Sequence, residues 1–321
     1  MKRLLLIALF LAFTAPAGAA EMPYEQWIHE LEDEAIGNGV APEIVHSALD
    51  DAMLDERVVD LDQKQPETTV TFASYSHRIL SADRIEKGAG LLDANSSVLS
   101  EVASRYGVQP QVIVALWGME SSFGRHSGDY SIIDSLVTLA YEGRRAKFFR
   151  SELMNALQIL QQDHIAPDEL RGSWAGAMGQ CQFMPSTYLK FAVDYDGDGK
   201  RDIWENQRDV FASIANYLAA EGWRSDQTWG REVDIDGDIP ASDIGLDHKH
   251  SLAEWQALGV RSLGGESLPD KDLEASLIQP DGADGRSFLV YDNFRALMRW
   301  NHSTYFAVTV GQLADRINAA Q

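Results

Sequence analysis

The sequence holds a single cysteine, Cys181, among its 321 residues. That excludes an intramolecular disulfide framework and a thiolate metal cluster. Positive charge is also scarce: 27 Lys and Arg stand against 49 Asp and Glu, a formal net charge of −22. A nucleic-acid partner requires a basic face to displace phosphate counterions, and an anionic membrane surface attracts clusters of Lys and Arg, so neither fits. Apolar runs stay below the roughly twenty residues of a membrane span. Phosphate loops ending in Gly-Lys-Ser/Thr, dinucleotide fingerprints, His-Glu-x-x-His and Gly-x-Ser-x-Gly are missing. Their absence argues against an organic nucleotide cofactor and against zinc-protease or serine-hydrolase chemistry. The eight histidines are scattered, and His248-Lys-His250 alone is a weak metal signal.

What remains is an ordinary globular composition, 45% hydrophobic and 24% charged, long enough for about two or three modules. The first twenty residues read differently. Lys2 and Arg3 precede the apolar run Leu4 to Phe13, and small residues from Ala15 to Ala20 lead to Glu21. This pattern predicts a secretory signal peptide over 1–20, cleaved near Ala19 or Ala20, with no transmembrane segment left in the mature chain. With no cysteine near the cleavage point, no lipid attachment is expected there. Export without disulfides fits a bacterial periplasm.

From Tyr24 to about Leu92 the periodicity is helical. Trp27, Ile28, Leu31 and Ile36 mark one stretch, and Pro42, Ile44, Val45 and Leu49 a second. Gln65-Pro-Glu-Thr-Thr is expected to open a helix carrying Val70, Phe72, Tyr75 and Ile79. Ser97 to Tyr106 reads as another, ended by Gly107. An α-rich block runs on to about Trp223. Acidic turns such as Asp234-Ile-Asp-Gly-Asp, glycines and short apolar runs then predict a small β-containing insert. Helix returns from Asn293 to Asn318. The reading is a mainly α (α+β) chain with a helical domain over 21–95 completed by 293–321, a core over 96–231 and a small β-containing domain over 232–292.

Two segments carry chemistry. In Pro110-Gln-Val-Ile-Val-Ala-Leu-Trp-Gly-Met-Glu120-Ser-Ser-Phe-Gly, helical spacing puts Ile113, Leu116, Trp117 and Glu120 on one face. A carboxyl group closing an apolar stripe has its pKa raised by burial and can act as a general acid. A solvated glutamate where the helix leaves the core is the plainer alternative. The second segment, Gly172-Ser-Trp-Ala-Gly-Ala-Met-Gly-Gln-Cys-Gln-Phe-Met-Pro-Ser186, mixes turn glycines with aromatic and amide side chains. Trp174 and Phe183 offer faces for sugar rings. Ser173, Gln180 and Gln182 offer uncharged hydrogen bonds. A buried turn would read the same way.

Together these segments resemble the lytic murein transglycosylases of the B type, bacterial enzymes that cleave peptidoglycan. The resemblance extends over Gln65-Pro-Glu, Tyr75, Gly143-Arg-Arg-Ala-Lys-Phe-Phe149, Phe288-Leu-Val-Tyr-Asp-Asn-Phe294 and Arg299-Trp-Asn-His-Ser303. It implies a lysozyme-like core domain with the additional helical domain and the small β-containing insert, and peptidoglycan glycan strands as the partner. It also implies that Glu120 alone protonates the bond between N-acetylmuramic acid and N-acetylglucosamine and then deprotonates the muramic C6 hydroxyl. That hydroxyl closes a 1,6-anhydro ring. Ser173, Gln182 and Phe183 match cleft residues, Arg145 a cleft arginine suited to a lactyl or peptide carboxylate, and Tyr75, Tyr217 and Asn301 positions bordering the sugars. Trp300 stands where some members have tyrosine, so no hydroxyl is available there. The competing readings are a hydrolytic muramidase and a catalytically silent glycan-binding envelope protein. Cys181 is expected to pack as a small hydrophobe.

Asp194-Tyr-Asp196-Gly-Asp198-Gly199-Lys200-Arg-Asp202-Ile-Trp-Glu205 satisfies the twelve-residue EF-hand pattern. Asp194, Asp196, Asp198, Asp202 and Glu205 supply carboxylates, and Lys200 supplies its carbonyl. Five acids in twelve residues repel one another without a cation, so a structural calcium is expected. The resemblance allows a later aspartate as ligand, which makes Asp209 a rival to Glu205.

Overall fold

Helix starts and stops are written locally along most of the chain. The computed structural model describes residues 22–64, 70–142 and 144–321. The expected signal peptide, the Gln65-Pro-Glu-Thr-Thr helix opening and Gly143 lie outside the described residues. The amino-terminal helices are α1 (Tyr24–Gly37), α2 (Pro42–Leu49), α3 (Glu56–Gln63), α4 (Phe72–Ile79) and α5 (Ala82–Ala94). Asp55, Thr71 and Ser81 cap α3, α4 and α5 by accepting backbone N–H bonds from Arg57, Ser74 and Arg84. The Thr71 cap leaves Val70, expected inside that helix, ahead of it and exposed.

Next come α6 (Ser96–Tyr106), α7 (Pro110–Ser121), β1 (Tyr130–Ser131), α8 (Ile132–Glu142), α9 (Ala146–Asp163), β2 (Arg171–Gly172), α10 (Pro185–Phe191) and α11 (Gln207–Ala220). Gly107 ends α6 in the left-handed region, φ 71°, a conformation that favours glycine. Proline occupies the first positions of α7 and α10, where its missing N–H has no helical partner to lose. The short strands β1 and β2 pair antiparallel.

The remainder forms β3 (Gly230–Ile235), β4 (His250–Ser251), α12 (Leu252–Ala257), β5 (Val260–Ser262), β6 (Glu274–Ile278), β7 (Ser287–Val290), α13 (Asp292–Trp300) and α14 (Thr304–Ala319). The five-stranded sheet runs in the order β4-β6-β7-β3-β5, with every neighbour antiparallel. Strand alternation divides β7 between two cores. Phe288 and Val290 join the helical core, while Leu289 faces Leu252, Trp255 and Leu277 on the other side. The sheet is therefore buried on both faces. From it α13 and α14 return to the helices, where α14 packs on α4, α5 and α7.

Helix α7 lies at the centre. Its sequence predicts one apolar face, yet every residue from Val112 to Gly118 is buried, because α5, α6, α11 and α14 all pack around it. Full burial of each Val, Ile or Leu is worth roughly 1.5–3 kcal/mol, so the helix is a stiff mount for whatever stands at its end.

Candidate active site

Glu120 stands in the last turn of α7, and the chain leaves that helix through an uncommon run. Ser122, Phe123 and Gly124 have φ of 54°, 61° and 75°. For the two non-glycine residues this left-handed conformation costs on the order of 1–2 kcal/mol each, so packing must hold it. Phe123 is buried edge-on against Trp117, with ring centroids 5.6 Å apart. It also fills the space beside Gly118, where an added Cβ would lie 2.5 Å from the ring. The Phe123 N–H donates back to the Trp117 carbonyl at 3.2 Å, and the Ser121 hydroxyl donates to the same oxygen at 3.1 Å. The turn thus closes over the helix end and leaves Glu120 at the rim.

The glycine-bearing segment folds as a tight double turn. Ser173 and Ala177 exchange bonds, backbone to backbone at 2.7 Å and amide to hydroxyl at 3.0 Å. Met178 and Phe183 exchange backbone bonds at 2.8 and 3.1 Å. Gly172 is required by close approach, since a Cβ there would sit 2.1 Å from the Ala177 carbonyl oxygen. Gln180 is consumed structurally: its Oε1 accepts the Trp117 indole N–H at 2.7 Å, and its Nε2 donates to the Trp204 carbonyl at 2.6 Å. Gln182, held at φ 50°, donates from Nε2 to the Ser127 and Gly179 carbonyls, each at 2.9 Å.

The decisive contact comes from a residue that sequence reasoning set aside. The indole Nε1 of Trp300, the last residue of α13, donates to Glu120 Oε1 at 2.6 Å. Trp300 is the centre of an aromatic wall, 5.3 Å from the Phe183 ring and 4.7 Å from Tyr217. Tyr217 in turn spends its hydroxyl on the Arg299 carbonyl at 2.7 Å, which pins the end of α13. Glu120 keeps part of its surface open, yet enough protein surrounds the carboxyl that burial pushes its pKa up to about 7, against the opposing pull of the Trp300 N–H. Among the described residues no second carboxylate contributes to that shift. Asp134 instead accepts the Met53 N–H at 3.1 Å, and Asp129 is exposed.

The other expected positions divide. Tyr75 is half-buried, and its pKa rises through burial and then through the nearby Glu120 charge. Asn301, next to Trp300, is exposed, and Ser173 is partly exposed within the double turn. Arg145 is exposed at the start of α9, with its guanidinium 4.9 Å from the Phe149 ring centroid. It makes no ion pair or hydrogen bond to the Glu120 group among the described residues. Cys181 is fully buried with its thiol directed at the Val210 carbonyl at 3.6 Å, and burial pushes the thiol pKa up. The sequence shows that Trp300 has a donor, because indole carries an N–H as well as an aromatic face, but not which group it meets.

The acidic loop joins α10 to α11. Carboxylate oxygens of Asp194, Asp196 and Asp209 lie within 4.8 Å of one another. Asp209 is fully buried in the first turn of α11. It accepts the Tyr195 and Asp202 N–H groups at 2.8 Å each. Burial raises its pKa to about 6, with the Asp196 and Asp194 charges adding to the rise. Glu205 is exposed and stands outside that trio. Asp198 accepts the Lys200 N–H at 2.8 Å, and Asp202 accepts the N–H groups of Trp204 and Glu205 at 2.9 Å. Hard, all-oxygen donors converging from loop and helix suit calcium.

The chain is similar to several known proteins. The sequence model of the family described as "Transglycosylase SLT domain" matches residues 23–315. The membrane-bound lytic murein transglycosylase B of Escherichia coli K12 is 33% identical over 283 residues, covering 84% of this chain and 75% of that protein. The crystal structure of SltB3 from Pseudomonas aeruginosa in complex with NAG-anhNAM-pentapeptide is 42% identical and superposes with a TM-score of 0.89, covering 92% of this chain and 79% of the other. The Escherichia coli lytic transglycosylase Slt35 in complex with calcium is 30% identical, with a TM-score of 0.78 over 91% of this chain and 93% of the other.

Proposed function

The chain belongs to the transglycosylase SLT domain family, whose relatives are lytic transglycosylases of peptidoglycan, and from that premise we propose that Glu120 alone cleaves the MurNAc–GlcNAc β-1,4 linkage without water. The observation that carries this reading is a single carboxyl at the end of α7, held by the Trp300 indole N–H at 2.6 Å in surroundings whose burial raises its pKa to about 7, with no second carboxylate acting on it among the described residues. Near neutral pH both its forms are populated, as one group serving as acid and then as base requires.

A retaining hydrolase places a second carboxylate about 5–5.5 Å from the first. Here the nucleophile is supplied by the substrate. The muramic C6 hydroxyl is already attached to the sugar whose C1 it attacks, and well-oriented intramolecular groups reach effective molarities of ~10⁵ M or more. Protonation of the glycosidic oxygen by Glu120 breaks the C1–O bond and releases the N-acetylglucosamine side with a free hydroxyl. The resulting carboxylate removes the C6 hydroxyl proton as the C6 oxygen bonds to C1, leaving a 1,6-anhydro end and Glu120 protonated again.

Trp300 gives this acid a direction. An indole N–H donates and cannot accept, so Oε1 is held as the acceptor and Oε2 carries the transferable proton. Trp300, partly open and backed by the buried rings of Phe183 and Tyr217, offers the apolar wall for a sugar face. Ser173 and the Gln182 carbonyl oxygen, which has no partner among the described residues, are the polar groups for sugar hydroxyls. Tyr75, Arg145 and Asn301 border the cleft further out. Asp194, Asp196 and Asp209 would hold a calcium ion, with the Lys200 carbonyl, Asp198, Asp202 and Glu205 as the loop's other oxygen donors. The ion supplies charge neutralisation and bracing. The signal-like segment 1–20 supports export to the periplasm, where the polymer lies. No described helix is long and apolar enough to cross a membrane.

The test is digestion of purified peptidoglycan with identification of the muramic termini by mass spectrometry. Anhydro ends support the proposal. Reducing ends overturn it in favour of hydrolysis, and absence of product from folded, calcium-loaded protein favours the silent binder.

A further inference from the structure

We propose that Arg299 is a positioning residue for the acid, its tie to Glu221 setting the Trp300 indole on the Glu120 carboxyl; this rests on the reading of Glu120 given above. Arg299 and Trp300 are consecutive at the end of α13, so their side chains leave the helix about 100° apart. While the indole reaches Glu120, the guanidinium reaches the end of α11. Its Nε forms an ion pair with the Glu221 carboxylate at 2.8 Å, and its Nη2 donates to the Glu221 carbonyl oxygen. Glu221 is the residue on which α11 ends, where carbonyls have no partner along their own helix and a cation is favourable. A second tie runs the other way: the Tyr217 hydroxyl of α11 donates to the Arg299 carbonyl at 2.7 Å. Each helix end thus accepts a donor from the other.

One residue separates this clamp from the acid. Trp300 packs against the Tyr217 and Phe183 rings, at 4.7 and 5.3 Å between centroids. Such ring contacts are soft in direction, whereas an N–H···O bond weakens steeply once it is misaligned. Holding the Arg299 backbone and guanidinium on α11 is what keeps the Trp300 Nε1–H aimed at Oε1. Arg299 does not act on the carboxyl through space: the Glu120 shift has burial and the Trp300 bond as its causes, with no contribution from Arg299 or Glu221. Tyr75 on α4, Arg84 on α5 and Cys181 in the glycine-bearing turn are the other titratable or charged groups near Glu120. None of them bonds to Arg299, Glu221 or Tyr217 among the described residues.

The test is a carbon-13 NMR titration of the glutamate carboxyls, with the Glu120 signal identified by its loss in Glu120→Gln. It reads the carboxyl directly, whether or not the protein cleaves glycan. Arg299→Ala, Glu221→Ala and Tyr217→Phe each open the clamp and are expected to raise the Glu120 pKa above its value of about 7 by roughly half a unit to one unit. A purely electrostatic effect gives three different responses: a rise for the lost cation, a fall for the lost anion and no change for the lost hydroxyl. Arg299 is exposed, and pairs of that kind contribute little to global stability, so its variant is expected to fold. In a Trp300→Phe background Arg299→Ala is expected to have no further effect. A carboxyl unmoved by Arg299→Ala and Tyr217→Phe, a fall in Glu221→Ala, or a shift that survives in Trp300→Phe overturns the positioning role. The digestion described above separates the two failures. Anhydro ends with an unmoved carboxyl sink the positioning alone, whereas a shifted carboxyl without anhydro ends sinks the acid reading and leaves the positioning.

Discussion

Replacing Trp300 by phenylalanine keeps the aromatic wall and removes one N–H, the donor 2.6 Å from Glu120 Oε1. A hydrogen bond to a charged group contributes about 1.5–3 kcal/mol, and one pKa unit corresponds to about 1.4 kcal/mol. The N–H favours the anion, so its loss raises the Glu120 pKa by roughly one to two units above the present value of about 7. In the proposed mechanism the first step uses the protonated acid, so kcat/KM is expected to fall as pH rises through that pKa. The alkaline limb is therefore expected near pH 7 in the parent and to move up by roughly one to two units in Trp300→Phe. The rate at the optimum also drops, roughly tenfold or more, because the carboxyl loses its orientation. Trp300→Tyr places a phenol donor in the same wall and is expected to return the limb toward the parent position. The assay is release of anhydro-ended fragments measured from about pH 5 to about pH 10. A slower Trp300→Phe enzyme whose alkaline limb has not moved refutes the reasoning and leaves Trp300 a packing residue.

Glu120→Gln is expected to abolish cleavage and to stabilise the fold at alkaline pH. The folded pKa of about 7 lies above the ordinary 4.5, so between those values the native state holds more protons and stability falls as pH rises. The cost of the buried anion is complete above pH 7, on the order of 3 kcal/mol at most and less for the open part of the cleft. Thermal melts should show the Gln variant gaining on the parent from pH 5 to pH 8; a gap independent of pH contradicts the buried anion. Chelation is expected to lower the melting temperature by several degrees, since a ligand at 100 times its Kd contributes about 2.7 kcal/mol. Asp209→Asn is expected to make that response disappear, and an unchanged parent melt after verified metal removal counts against the site. Thr309→Val replaces a buried hydroxyl that has no partner among the described residues and is expected to stabilise by about 1 kcal/mol. A urea midpoint that stays put or falls would show that the hydroxyl is satisfied.

Local signals carried much of this structure. Pro110 and Gly107 mark real helix boundaries, and the shift from helical period to short acidic turns marks where the five-stranded sheet begins near Gly230. The carboxyl at the end of an apolar helix was legible because desolvation follows from its neighbours in the chain. What spacing could not supply is contact across the fold. Trp300 meets Glu120 across 180 positions, and nothing in either segment encodes that meeting. Gln180 and Gln182 look alike in the sequence, but the Gln180 amide is bonded at both ends, to Trp117 and Trp204, while the Gln182 amide is bonded through Nε2 alone, to the Ser127 and Gly179 carbonyls. The gathering of three carboxylates at the acidic loop was equally out of reach. A loop pattern fixes ligand order, whereas only the packing of α11 brings Asp209 beside Asp194 and Asp196. Val70 failed for a local reason, because a threonine cap one residue later outweighs an apolar side chain that has nothing to pack against.

These cross-fold contacts join parts that the sequence presents separately. The end of the acidic loop binds the glycine-bearing turn at three points. The Ile203 carbonyl accepts the Gln180 N–H at 2.8 Å, the Trp204 carbonyl accepts its side-chain amide, and Gly179 approaches Ile203 so closely that a Cβ would lie 2.6 Å from that carbonyl. The other end of the same amide accepts from Trp117, one helical turn before Glu120. A single side chain thus ties α7, the turn carrying Gln182 and Phe183, and the acidic loop. Because Gln180 is buried and both ends of its amide are bonded, movement of any one part leaves a desolvated polar group unpaired, at about 1–3 kcal/mol each. The acidic loop, distant from Glu120 in the sequence, therefore belongs to the frame that holds the acid opposite its aromatic wall.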